Sequence, residues 1–176
     1  MRKLFGWMAV GLSLGALAGA APAQTAAGPT LAVLDLSDGG SMGPDAQNLT
    51  GLGKGIAAML TTEMSRNPRV RMVERDRIRS LLDEQRVAVS GMADEASAIR
   101  VGRLLGAQYM LFGSYSDVYG QLRMDVRVVE VETGRLVRAQ EVTAPRENLL
   151  ASVTMLAERT FHELSLTPPG GMARAG

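Results

Sequence analysis

No cysteine occurs anywhere in the 176 residues. That excludes disulfides, thiolate catalysis, cysteine metal sites and lipid attachment through an N-terminal cysteine. Histidine is almost absent too, since His162 stands alone. One histidine cannot supply a zinc set. No S-x-x-K or H-E-x-x-H pattern offers it a nucleophile or a metal, so it reads as a residue on the edge of a C-terminal helix beside Phe161. Lysine is scarce: Lys54 is the only one after Lys3. Long apolar runs are missing beyond the first residues, and nothing later approaches the roughly 20 residues that span a bilayer as a helix.

The start of the chain reads as an export signal. Arg2 and Lys3 are followed by an uncharged apolar run from Leu4 to Leu17 and by Ala21-Pro22-Ala23, a small-x-small cleavage pattern. Residues 1–23 are therefore set apart as a signal peptide, and residues 24–29 as a short leader. Cleavage leaves 153 residues, enough for one domain with its own core. It also takes the formal charge from +1 to −1 by removing Arg2 and Lys3. A nearly neutral exported chain has no general attraction for nucleic acid or acidic lipid.

What is present is a periodic alternation of strand and helix patterns. Thr30 to Leu36 reads as a buried strand. Ser37 to Asn48 is a long loop of Gly, Ser, Asp and Pro, the kind that often carries function. Leu49, Leu52, Ile56, Met59, Leu60 and Met64 recur at helical spacing, and Asn67-Pro68 ends that helix. Gly51, Gly53 and Gly55 sit in its first turns. Each costs about 1 kcal/mol against alanine in a helix interior, so close packing or a late helix start is expected there.

Val70 to Val73 follows as a short strand, then helices over about 75–86 and 93–105 with Gly106 as a cap. Gln108 to Ser116 is a strand and Tyr119-Gly120 a tight turn. Leu122, Met124, Val126 and Val128 alternate with Arg123, Asp125 and Arg127 as a half-buried strand, and Val128-Val129 suggests a bulge. Thr133-Gly134 turns into a last strand ended by Pro145. Leu149, Leu150, Val153, Leu156, Thr160, Phe161 and Leu164 mark a final helix. The order β-α-β-α-α-β-β-β-α implies an α/β domain over 30–166, one mixed sheet with helices packed on it. The tail 167–176, rich in Pro and Gly, is expected to be disordered.

Three patterns invite chemistry. Gly51-Leu52-Gly53-Lys54-Gly55 opens a helix after a strand, where backbone amides can hold an anion. It fits neither phosphate-loop pattern, and Gly55 followed by Ile56 places no magnesium-binding hydroxyl after Lys54. Tight helix packing is the better reading. Asp35 and Asp38, at the carboxyl end of the first strand, could form an acid/base pair, although two loop acids three apart are common. Glu74 to Arg79 is a run of mixed charge, the mark of a solvated helix face. None of these patterns requires a cofactor or a metal.

In order and spacing these segments resemble the CsgG family. The likeness is carried by Leu31-Ala32-Val33-Leu34-Asp35-Leu36, by Leu52 to Thr62, and by Val73-Glu74-Arg75 followed by Leu81-Leu82-Asp83-Glu84-Gln85. It continues through Leu105-Gly106-Ala107-Gln108-Tyr109, Phe112-Gly113-Ser114 and Arg127 to Gly134, spanning about residues 30–145. The resemblance implies a periplasmic, non-catalytic protein associated with the outer membrane. It would bind a protein partner of the cell envelope in secretion or surface-structure assembly, and has room for a homo-oligomer. Similar domains in LpoB-type activators make a regulator of peptidoglycan synthesis the alternative, with a small-ligand-binding domain as a third class.

The chain also departs from the family. It lacks the lipid-bearing cysteine. The pore members insert membrane hairpins between the strands equivalent to 108–116 and 122–128, and again after the last strand. Here only Tyr115 to Leu122 fills the first gap, whereas each membrane strand takes about 9–11 residues. At the pore constriction, Tyr, Asn and Phe correspond to Pro44, Asn48 and Leu49, and only the asparagine matches. Asn48 and Leu49 are accordingly candidate partner contacts, together with Asp35, Asp38 and Arg127. Export is checked first: mature protein should begin near Gln24 and be released by osmotic shock. N-terminal sequencing that finds Met1 or Arg2 on membrane-bound protein would overturn the signal reading.

Overall fold

The computed structural model describes residues 28–84 and 94–162, apart from the side chains of Gln47 and His162. The expected signal peptide, residues 24–27 of the leader and the 167–176 tail lie outside the described residues. So does the side chain of His162. Within them the chain forms β1 (Thr30–Val33), β2 (Ser37–Asp38), α1 (Leu52–Ser65), β3 (Arg71–Met72), α2 (Arg75–Glu84) and α3 (Glu95–Leu105). The meander β4 (Tyr109–Val118), β5 (Gln121–Glu130) and β6 (Leu136–Pro145) follows, then α4 (Leu149–His162). The expected order holds, with β2 added inside the segment read as a loop.

The strands make one mixed sheet in the order β3-β1-β4-β5-β6. β1 lies parallel to both β3 and β4, while β4, β5 and β6 are antiparallel. Alternation along the strands sends side chains to two cores. Leu31, Val33, Leu111, Tyr115, Met124, Val126 and Val128 pack under α1 and α4 with Ile56, Leu60, Met64 and Leu156. Ala32, Leu34, Met110, Phe112 and Val129 pack under α2 and α3 with Ile78, Leu82, Val101 and Leu105. The result is a three-layer α/β/α arrangement.

The expected 30–36 strand is interrupted. Its ladder to β3 and β4 ends at Val33. Leu36 N–H then donates to the Gly53 carbonyl on α1 at 3.3 Å, and the chain rejoins β4 through Ser37 and Asp38. An apolar run cannot reveal this: Leu34 and Leu36 are both buried, but in opposite cores, whereas an unbroken strand would put residues two apart on one face.

Both explanations offered for the glycines of α1 apply. The helix starts only at Leu52, after a 3-10 turn over Ala46–Leu49, with Gly51 as its cap at φ 86°. Gly53 lies so close to the link between β1 and β2 that a Cβ there would stand 1.8 Å from the Leu36 carbonyl oxygen. Gly55 faces open space.

The expected bulge occurs, with its extra residue on the partner strand. β4 and β5 pair without interruption, whereas Val128 faces Arg138 and Val129 faces Leu136, so Val137 is the additional residue. Val129 looks like a phase break in the sequence for another reason. It shares a face with Arg127, but α3 covers that face only at Val129.

Gly53→Ala should lose about 1–3 kcal/mol, because its methyl group meets backbone that cannot yield. Gly55→Ala, with nothing within 4 Å of the new Cβ, should gain up to about 1 kcal/mol. Urea unfolding of both variants checks this. Equal effects would show that the approach of α1 to Leu36 is looser than described.

Candidate functional site: the turn pole of the sheet

At the end of β4 remote from α3, three segments meet. They are the 39–45 loop, the β4–β5 turn and the 3-10 turn Arg146–Asn148 after β6. Tyr119-Gly120 forms a two-residue hairpin turn with both residues at positive φ, 50° and 83°. This is the turn geometry that matches strand twist. Asp117 stabilises it by accepting from Gly120 N–H at 2.9 Å.

The 39–45 part of the segment read as a long loop is zipped onto β4. Gly39 N–H donates to the Tyr115 carbonyl, Met42 N–H to the Asp117 carbonyl, and Tyr119 N–H to the Met42 carbonyl, at 2.7, 2.7 and 3.0 Å. The Ser41 hydroxyl accepts from Asp117 N–H at 3.0 Å. These bonds satisfy the edge of β4 that β1 leaves open.

The sequence-derived candidates fall into different environments. Asp38 holds the loop together, accepting from Gly40 N–H, Ser41 N–H and the Ser41 hydroxyl, each at 2.9 Å. Burial pushes its carboxyl up, but those bonds outweigh that and hold it below the ordinary value. Asp35 turns the other way and pairs with Arg75 at the start of α2. Asn48 is exposed beside the pole.

Leu49 is buried, and its carbonyl accepts the Tyr115 hydroxyl at 3.2 Å. Burial, then the charge of Asp38, raises the Tyr115 pKa, so the phenol stays a donor. Arg127 is exposed on the part of its β5 face that α3 does not reach, next to the ion pairs of Arg123 with Asp125 and Glu141. Asn48 and Asp38 thus belong to the pole. Asp35, Leu49 and Arg127 are not brought together with its surface.

The pole contains residues that sequence reasoning did not select. Met42 is 56% exposed, Val118 39% and Tyr119 76%, and Met42 and Val118 bridge directly. Behind them is a recess of about 300 Å³ lined by Gly43, Pro44, Asp45, Asp117, Tyr119 and Arg146. Asp117 is only 3% exposed, and its Oδ2 has no hydrogen-bond partner. Arg146 Nη1 stands 3.5 Å away, while Nη2 of the same guanidinium bonds Asp45 at 2.6 Å. An unsatisfied buried acceptor typically costs about 1–3 kcal/mol. The Tyr-Gly turn was legible in the sequence; the neighbours of Asp117 were not, since Asp45 and Arg146 are remote along the chain.

A larger cleft of about 660 Å³ lies between the ends of α1 and α4, lined by Glu63, Arg66, Asn67, Ala157 and Phe161. Among the described residues it holds the local Glu63–Arg66 ion pair. Among the described residues no group of acids and histidines could hold a metal ion, and no helix is long and apolar enough to cross a membrane.

A family model described as "Curli production assembly/transport component CsgG" matches residues 15–117, more than half of the chain. It ends within β4, so β5, β6 and α4 lie beyond it. No curated protein matches.

Among solved structures, TolB from Acinetobacter baumannii is similar at TM-score 0.53 and 10% identity, covering 80% of this chain and 29% of that one. The C-terminal domain of LpoB from Salmonella enterica is similar at TM-score 0.49 and 18% identity, over 70% and 87% of the two chains. A PelC dodecamer from Paraburkholderia phytofirmans matches at TM-score 0.46 and 18% identity, over 81% and 91%.

The Asp38 bonds make a pH prediction. A carboxyl held low in the folded state adds stability above its unfolded value and loses it as pH falls through the folded one. Asp38→Asn should therefore melt below wild type near neutral pH. The gap should close as pH drops well below the ordinary 3.8. A gap of the same size at every pH would show that the charge of Asp38 does not hold the loop.

Proposed function

Because this chain belongs to the CsgG family, we propose that it is a non-catalytic periplasmic protein that grips another protein during outer-membrane secretion or assembly of a surface structure. Family membership itself indicates a protein of the cell envelope. The family's description as an assembly and transport component supports a binding role over a catalytic one. The export pattern at Arg2 to Ala23 supports the compartment.

The observation that carries the reading is the apolar cluster at the turn pole. Exposed apolar residues scattered singly are ordinary. Here Met42, Val118 and Tyr119 adjoin one another on hydrogen-bonded backbone. A rigidly held aromatic beside aliphatic neighbours, with charges around it, has the composition of an interface centre with a polar rim. The ladder bonds of Met42 and Tyr119 hold the backbone of the cluster in place, so little backbone freedom is lost on binding. Asn48, exposed on the adjoining turn, would extend the contact with a hydrogen bond.

A photo-cross-linking side chain placed at Tyr119 or Met42 in living cells should capture one discrete envelope protein, identified by mass spectrometry. The same probe at Leu104, which is 50% exposed near the opposite end of β4, should capture none. Capture at Leu104 and not at the pole would place the contact elsewhere.

A further inference from the structure

The recess at the turn pole has a charge pattern that its own residues leave incomplete. Two carboxylates, Asp45 and Asp117, share the single guanidinium of Arg146. Arg146 is bonded to Asp45 and stops short of Asp117, whose buried Oδ2 accepts no hydrogen bond. The three groups leave one net negative charge at the base of a recess rimmed by Met42 and Tyr119.

An anion entering this recess would meet two carboxylates. A neutral group would leave Asp117 as it is. A cation on an apolar stem suits both features, since its charge answers the excess carboxylate and its stem can lie along the exposed Met42 and Val118. The Tyr119 ring, open to solvent at the rim, adds attraction for a cation near its face.

Asp117 Oδ2 is closed to solvent, whereas the Asp45 side chain is 55% exposed. The incoming charge must therefore arrive at Asp45. We infer that the recess takes a lysine or arginine side chain of a protein partner, which pairs with Asp45 and releases Arg146 to close on Asp117. Each carboxylate then has its own cation. Water excluded by the bound partner makes both pairs stronger than they are at an open surface. This inference rests on the protein contact proposed for the same pole.

The probe is N-acetyl-arginine amide, compared with its neutral isostere N-acetyl-citrulline amide. Each is titrated into the intact isotope-labelled protein and followed by amide NMR. The arginine probe should give saturable shifts at Asp45, Asp117, Tyr119 and Gly120. The citrulline probe should bind about fivefold more weakly or worse, the factor expected for one ion pair.

Asp45→Asn, at an exposed position, should abolish the difference between the probes. Asp117→Asn keeps an acceptor for Gly120 N–H and should weaken arginine binding, since moving Arg146 inward then relieves nothing. Equal response to both probes, no response, or binding unchanged by either substitution would overturn the inference. A missing probe response alongside intact cross-linking at Tyr119 would sink the recess and leave the contact at the pole standing. Lost cross-linking with a preserved probe response would do the reverse.

Discussion

The structure depends on the hydrogen bonding of β4. A buried strand must satisfy its backbone on both edges. β5 does this along one side without a gap, from Tyr109 facing Glu130 to Val118 facing Gln121. No single element covers the other side. β1 pairs with Tyr109 to Leu111, β2 with Ser114 and Tyr115, and Met42 closes the end at Val118. The parallel half of the fold and the antiparallel meander are joined through this one strand. The interruption of the first strand, the approach of Gly53 to Leu36 and the tethering of the 39–45 loop all follow from supplying that second edge.

The same constraint builds the pole. β4 and β5 run on past the end of α3, so Arg123, Asp125 and Arg127 lie on the part of that sheet face that no helix reaches. Their hairpin turn carries Tyr119 beyond both cores. The loop that completes the edge of β4 brings Asp45 and Met42 to the turn, and the chain leaving β6 brings Arg146, whose N–H donates to the Gly120 carbonyl at 2.8 Å. The pole is thus made from loops fixed by ladder bonds, which is how a rigid scaffold usually presents functional side chains.

The α/β class, the element order and the buried faces of α1 and β5 were legible wherever side-chain periodicity is dictated by burial. Ile56, Leu60 and Met64 on α1, and Met124, Val126 and Val128 on β5, lie where their spacing places them. Periodicity failed where two layers overlap unevenly. Val129 looked like a break in phase because one face of β5 passes from solvent to the cover of α3 within two residues. The 37–48 segment read as a plain loop because its link to β4 runs through main-chain groups and the Ser41 hydroxyl. Main-chain bonding leaves little mark on composition. Of the five candidate contacts, Asn48 and Asp38 lie at the pole, while Asp35 and Leu49 are engaged within the domain by Arg75 and the core.

The sequence by itself determined the exclusion of cysteine chemistry, the alternation of elements, the tight turn at Tyr119-Gly120 and the family resemblance. All of these rest on residue identity and local spacing. Only the tertiary structure decided which residues form the pole. Asp45, Asp117 and Arg146 lie far apart along the chain, and their meeting depends on where β2, the hairpin turn and the end of β6 converge. It also decided that Asp117 is buried with an oxygen left unbonded, because burial and satisfaction depend on neighbours that chain folding supplies.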